Sequence, residues 1–182
     1  YEIVSRDWSS DVCSSDLENG GFFFVSHDHE QLILRSKIGH DNATPSGNGV
    51  AAIALNRLGH LFGEPRWCDA AERTLKAFKP AMDRRASGHA SLCMALDEWL
   101  TPPTIVVLCG TDAADWQQRL AKRYRPHTLV VRVAAGSAAL PAALAKPVPA
   151  HGVNAWVCRG VECLPPFSEL GQLESAMDAA VR

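Results

Sequence analysis

The sequence predicts an α+β fold built in two parts, and three observations carry the prediction. Between Pro45 and Leu100 apolar residues recur at spacings of three and four, the period of amphipathic helices. From Thr104 onward, continuous apolar runs of strand length alternate with helical segments. Between the two textures stand Pro102 and Pro103, which stop a helix and mark a boundary.

Residues 1–17 stand apart. The chain opens at Tyr1 without an initiator methionine, so the natural start is expected upstream. Asp7 to Leu17 reads DWSSDVCSSDL, whose apolar residues follow neither a period of 2 nor one of 3.6. The stretch resembles the conceptual translation of a sequencing-adapter oligonucleotide. Residues 1–17 are therefore expected to be an artefactual or disordered tail and are set aside from the fold.

Gly20 and Gly21 introduce Phe22, Phe23, Phe24 and Val25, an aromatic and β-branched run that reads as a strand. His27 to Gln31 reads as a polar turn and Leu32 to Arg35 as a returning strand, so the pair is expected to form a β-hairpin. Pro45 and Ser46 then open a helix whose stripe is expected to be Val50, Ile53, Ala54, Leu58, Leu61 and Phe62. Ser46 suits its cap, and Gly63, Glu64 and Pro65 end it. A second helix is expected from Arg66 to Phe78, with Ala70, Ala71, Leu75 and Phe78 inward and Pro80 limiting its continuation. A third, from Gly88 to Leu100, places Leu92, Cys93, Leu96 and Trp99 on one side. The short connections imply antiparallel helical hairpins, and a layer of this size lacks partners enough to close a large core.

In the second part, Thr104–Cys109 (TIVVLC) is the type of run expected for a strand covered on both faces. Asp112 caps a helix to about Tyr124, and Thr128–Val133 is a second strand. Strand, helix and strand in this spacing make a βαβ crossover with parallel strands. A short helix is expected at Ala138–Lys146, a third strand at Ala155–Arg159 and a closing helix at Ser168–Val181.

Composition removes several classes of function. At 47% hydrophobic and 21% charged residues the chain is globular material, not a disordered one. A formal charge of -2, with no basic cluster, argues against nucleic acid and anionic membrane partners. No apolar run reaches the roughly 20 residues needed to span a bilayer, and no signal segment opens the chain. A cytoplasmic protein is expected, and the six scattered cysteines suit reduced thiols better than a disulfide framework.

Four stretches carry candidate chemistry. His27, Asp28, His29 and Glu30 look metal-like, but strand neighbours point to opposite faces and no third ligand converges, so a solvated turn is the plainer reading and no metal is expected. Gly110 precedes a helix, as phosphate loops do, yet neither GxGxxG nor a Walker lysine accompanies it, and no cofactor is expected. Cys158 and Cys163 bracket RGVE, a spacing that is neither the redox CxxC nor a zinc knuckle. They can meet if the chain turns at Gly160, which leaves two readings: incidental cysteines, or a labile redox pair. The richest segment is His40 to Gly49, HDNATPSGNG, just before an apolar helix. Asp41, Asn42, Thr44, Ser46 and Asn48 are expected to line a cavity at a helix mouth, where amides and carboxylates recognise hydroxyl-rich ligands, and Asp41, Asn42, Ser46 and Asn48 are the candidate substrate-binding residues. The same residue types also serve loops and caps. No nucleophile signature and no complete catalytic set is legible.

GGFFF with its DHE turn, LILRSKIGHDNATPSGNGVAA, the helix ending at HLFGE, RYRPHTLVV and AWVCRGVECLPPFSEL together resemble the late part of the thioredoxin-domain-containing, spermatogenesis-associated protein family, including its bacterial YyaL-type members. The resemblance covers nearly everything from Glu18 to Arg182. It implies an amino-terminal thioredoxin-like domain followed by an (α/α) toroid similar to six-hairpin glycosidases and N-acylglucosamine 2-epimerases. On that reading residues 18–103 are the last hairpins of a partial toroid, and residues 104–182 are a small α/β appendage. The family's CxxC motif has no counterpart here, and the toroid mouth maps onto Asp41, Asn42, Ser46 and Asn48. The resemblance implies a truncated part of a carbohydrate-directed protein, inactive by itself, with a carbohydrate ligand in the intact molecule. The alternative is the scaffold portion of a redox or protein-quality-control factor, in which Cys158 and Cys163 are inert or a resolving pair.

Overall fold

The computed structural model describes residues 19–24, 36–134, 136–137, 140–160 and 162–179. Among them lie five α-helices and one mixed four-stranded sheet. They divide into two compact units, one running to Gly59 and including Glu64–Leu100, the other comprising His60–Gly63 and the chain from Thr101. The tail, the metal-like stretch 27–30 and most of the expected hairpin lie outside the described residues. Phe22, Phe23 and Phe24 are not in a strand; Phe24 N–H donates to Ser36 O at 3.0 Å.

The first unit is helical. Helix α1 spans Gly47–Phe62 and α2 spans Pro65–Arg84; after a 3₁₀ turn at Ala86–Gly88, α3 spans Ala90–Leu100. The buried face of α1 is Asn48, Gly49, Ala52, Asn56 and Gly59, which corrects the expected stripe. Val50, Leu58 and Phe62 are instead 51%, 39% and 37% exposed. Both faces have helical period, and the decision between them is steric. A Cβ at Gly49 would lie 2.1 Å from Ser91 Oγ and 2.9 Å from the Ser91 carbonyl carbon, so α1 approaches α3 more closely than a bulky face permits.

Helix α2 runs through Pro80 to Arg84, beyond the expected limit. Pro80 removes one hydrogen bond to the Lys76 carbonyl, and both residues are exposed, so water can take the freed oxygen. Continuing the helix brings Met82 into a core with Ala52, Leu75, Leu92 and Ala95. Helix α3 buries Ser91, Leu92, Ala95 and Glu98, a more polar face than the apolar pattern predicts. Glu98 is 4% exposed and is neutralised by Arg57 of α1: Arg57 Nε donates to both carboxylate oxygens at 2.9 Å and a terminal nitrogen donates to Oε2 at 2.6 Å. This fork is the geometry that makes a buried carboxylate tolerable.

The second unit is an α/β layer. Strand β1 (Thr104–Gly110) leads through α4 (Ala113–Leu120) to β2 (Thr128–Val133). Strands β3 (Val153–Arg159) and β4 (Glu162–Cys163) and helix α5 (Leu170–Ala179) follow. The order across the sheet is β2-β1-β3-β4. β1 and β2 are parallel, as the crossover predicts, whereas β3 lies antiparallel to β1 and β4 antiparallel to β3. β1 is covered on both faces. Val106 and Leu108 point to a core completed by Ala155 and Val157 of β3 with Ala113, Leu120, Leu173 and Met177 of the helices. Ile105, Val107 and Cys109 point the other way, to Val133, Leu144, Trp156 and Cys158. The helix expected at 138–146 is a turn where it is described: Leu144 and Ala145 both donate to Pro141 O, and the flanking Pro141 and Pro147 leave no room for a longer ladder. Arg123 holds Asp178 of α5 below the ordinary carboxylate range, with Arg125 adding to it.

Two substitutions test the helical unit. Gly49→Ala is expected to lower stability by about 1–3 kcal/mol, the usual cost of overpacking, read from denaturant midpoints. Arg57→Ala leaves Glu98 buried without its partner and is expected to cost about 3–5 kcal/mol. Replacing the pair together by Met and Leu should recover most of that loss in the same measurement.

Candidate functional site

The segment from His40 to Asn48 folds around one carboxylate. Asp41 Oδ1 accepts from the Ser46 N–H at 2.8 Å and from the Ser91 hydroxyl, while Oδ2 accepts from the Ser91 N–H at 2.8 Å. Ser91 is in the first turn of α3, which carries no acidic residue of its own, so Asp41 supplies the negative charge favoured there. Burial pushes the Asp41 carboxyl up, but the Ser91 side-chain and backbone bonds, the Ser46 backbone bond and nearby His89 outweigh it and hold the group below its ordinary value. Ser46 in turn caps α1, its Oγ accepting from Gly49 N–H at 3.0 Å and lying 3.1 Å from Ser91 Oγ. The expected cap is therefore observed.

Asn48 ties the aromatic segment to the same helix mouth. Its Oδ1 accepts from Phe22 N–H at 2.6 Å, and its Nδ2 donates to Phe22 O at 3.0 Å and to Ile38 O at 2.9 Å. Both ends of the buried amide are thus satisfied. Lys37 Nζ donates to Gly20 O at 2.7 Å and stands 4.6 Å above the Phe23 ring, a cation–π contact that fixes the ring's outer face.

These contacts frame a pocket of about 460 Å³ inside the helical unit. It is lined by Phe22, Phe23 and Phe24, by Ile38, His40, Asn42 and Thr44, and by the start of α1. Of the four sequence candidates, Asn42, Ser46 and Asn48 line it and Asp41 does not. Ser46 and Asn48 spend their polar groups on the protein, and Asp41 works behind the wall. Asn42 is exposed at the rim, as are His40 and Thr44. The three phenylalanines, Ile38 and His40 are among the lining residues the sequence reading missed. The signal was present, since a strand alternates its faces and three consecutive phenylalanines cannot all be buried by one sheet face; Phe24 is 76% exposed.

The arrangement can bind more readily than it can catalyse. Phenyl rings together with an imidazole, an amide and a hydroxyl suit a ligand with one apolar face and a polar edge. Among the described residues His40 is the one ionisable side chain lining the pocket, and no pair of carboxylates for acid–base cleavage stands among them.

Cys158 and Cys163 are joined by a disulfide, which corrects the expectation of reduced, unpaired thiols. They sit directly opposite each other on β3 and β4, so the turn at Gly160 brings together what the sequence leaves five residues apart. Cys68, Cys93 and Cys109 are free. No described helix is long and apolar enough to cross a membrane.

The fold and the pocket define a protein of two units: a helical one with an aromatic-walled pocket at a helix mouth, and an α/β one with a four-stranded mixed sheet. No protein-family model matches the chain. Among curated proteins it is similar to spermatogenesis-associated protein 20 of Rattus norvegicus, with 33% identity over 100 residues. That stretch is 54% of this chain and 13% of the rat protein, so the match spans a small part of its relative.

Two variants test the role of Asp41. Asp41→Ala removes a charged acceptor shared by two helix mouths and is expected to cost about 1.5–3 kcal/mol. Because the folded carboxyl is held below its unfolded value of about 3.9, its contribution is complete above that pH and is lost as pH falls through the lower folded value. The wild-type melting temperature should therefore fall in that acid range more steeply than that of Asp41→Asn.

Proposed function

We propose that this chain supplies a carbohydrate-binding wall of a longer protein in which its helical unit belongs to an (α/α) toroid like those of epimerases and six-hairpin glycosidases. The pocket is the observation that carries the reading: three phenylalanines line it together with His40, Asn42 and Thr44, at the segment onto which the resemblance maps the toroid mouth. A pyranose offers the matching chemistry, with a C–H face for a ring and hydroxyls for an amide and imidazole. Exposed Val50 and Leu58 on α1 and Met94 and Leu100 on α3, the last two both 65% exposed, are apolar surface of the kind that further toroid helices cover. The similarity to spermatogenesis-associated protein 20 is consistent with the resemblance to YyaL-type proteins. The chain by itself is a binding element without turnover, and the reading includes a cytoplasmic location.

Titration of the chain with neutral hexoses and N-acetylated hexosamines, followed by NMR, tests this. Binding should perturb the resonances of Phe23, His40 and Asn42, and His40→Ala should weaken it about tenfold, close to 1.4 kcal/mol. If no sugar perturbs residues 22–24 or 38–48 at concentrations of tens of millimolar, by order of magnitude a very weak interaction, the carbohydrate reading is wrong.

A further inference from the structure

We infer that Cys158 and Cys163 form a thiol–disulfide exchange site for a small-molecule thiol couple, with Cys163 as the attacking sulfur, Cys158 as the resolving sulfur and Lys146 as the group that favours the Cys163 thiolate. The inference does not depend on the pocket.

Three features distinguish this pair from a structural staple. First, the two sulfurs differ in access. Cys163 is exposed on the two-residue edge strand β4, while Cys158 is 6% exposed and packs in the core with Ile105, Val107 and Trp156. Of the two residues, Cys163 is the one open to an incoming thiol or disulfide. Second, Lys146 Nζ stands 3.4 Å from Cys163 Sγ, and a cation at that distance favours the thiolate, the form that attacks. The other charged groups beside the pair are Arg159 and Glu162, opposite each other at the turn, with Arg159 also donating to Thr104 Oγ1 at 3.1 Å. Third, the bond closes a very short loop on a strand that is already secured. β3 pairs with β1 over six positions, from Ile105 with Cys158 to Gly110 with Val153, and Leu164 N–H still donates to Val157 O at 2.9 Å. Closing so short a loop constrains the unfolded chain less than closing a long one, so the sheet is expected to survive reduction of the bond. Gly160, at φ 55°, makes the turn that lets the two sulfurs meet and part.

Two of the three other described thiols are built differently. Burial raises the Cys68 thiol, with Asp69 adding to the effect, and burial raises Cys109 against the opposing charge of Lys146.

The exchange balances as follows. In the reduced protein, the Cys163 thiolate attacks one sulfur of a small disulfide RSSR; the Cys163–SR bond forms, the RS–SR bond breaks, and RS⁻ leaves and takes a proton from water. Cys158, having given its proton to water, attacks Cys163 Sγ, displaces the second RS⁻ and restores the protein disulfide. Two electrons pass from the two protein thiols to RSSR. In the opposite direction, two molecules of RSH reduce the protein and leave as RSSR.

The test uses the 182-residue chain with glutathione and its disulfide as the probe. Cys158→Ser should accumulate a mixed disulfide on Cys163, mapped by peptide mass spectrometry, while Cys163→Ser should form none on Cys158. In the reduced protein Cys163 should alkylate at neutral pH faster than Cys93. Lys146→Met should slow it about tenfold, the effect of one pKa unit, and raise the midpoint of its pH profile, with Lys146→Arg restoring both. Circular dichroism should show wild-type secondary structure in each variant and in the reduced protein. Alkylation of Cys163 no faster than Cys93, no effect of Lys146→Met on the pH midpoint, or loss of the sheet on reduction would each overturn the inference, the last by showing the bond to be a structural staple.

Discussion

The helical unit depends on the placement of one carboxylate. Asp41 stands in a loop, yet it accepts from the first turn of α3 and from the residue that caps α1, so a single side chain fixes two helix mouths at once. Helix starts leave N–H groups unpaired, and a charged acceptor there satisfies donors and complements the dipole together. With both mouths held, the loop His40–Ser46 has a defined course and becomes one wall of the pocket. Asn48 extends the same principle to the aromatic segment, for its amide satisfies backbone groups of Phe22 and Ile38 that would otherwise be buried without partners.

This arrangement explains why the chemically promising residues of the segment are not those that face a ligand. Carboxylate, hydroxyl and amide are the groups a sugar site uses, and they are equally the groups that hold a loop to a helix. In this chain Asp41, Ser46 and Asn48 serve the second purpose, and the rim is left to His40, Asn42 and Thr44. The pocket lining combines phenyl rings with polar groups at an exposed rim.

The α/β unit is organised by burial of β1. Six of its seven residues are buried, and their alternation supplies both cores at once. Around so secure a strand the periphery can be specialised at little cost to the fold. Strand β4 has only two residues and ends the sheet with a sulfur bond and an exposed edge.

The sequence alone determined the elements that local physics controls. The run TIVVLC is the type expected for a strand covered on both faces, the βαβ spacing implied the parallel pairing of β1 and β2, and Ser46 suited the cap of α1, as the structure has them. Tertiary structure decided what period and composition leave degenerate. Helical period is the same for the bulky and the small face of α1, and only the close approach of Ser91 at Gly49 selects the small one. Pro80 reads as a stop, but a solvent-facing proline can stay within a helix when the next turn buries Met82. Two cysteines five residues apart leave bonded and unbonded readings open, and strand register decides by setting them opposite each other. The pocket belongs to the same class, because Phe22 and Asn48 are far apart in sequence and meet only through hydrogen bonds between a side-chain amide and a distant backbone, which no local pattern encodes.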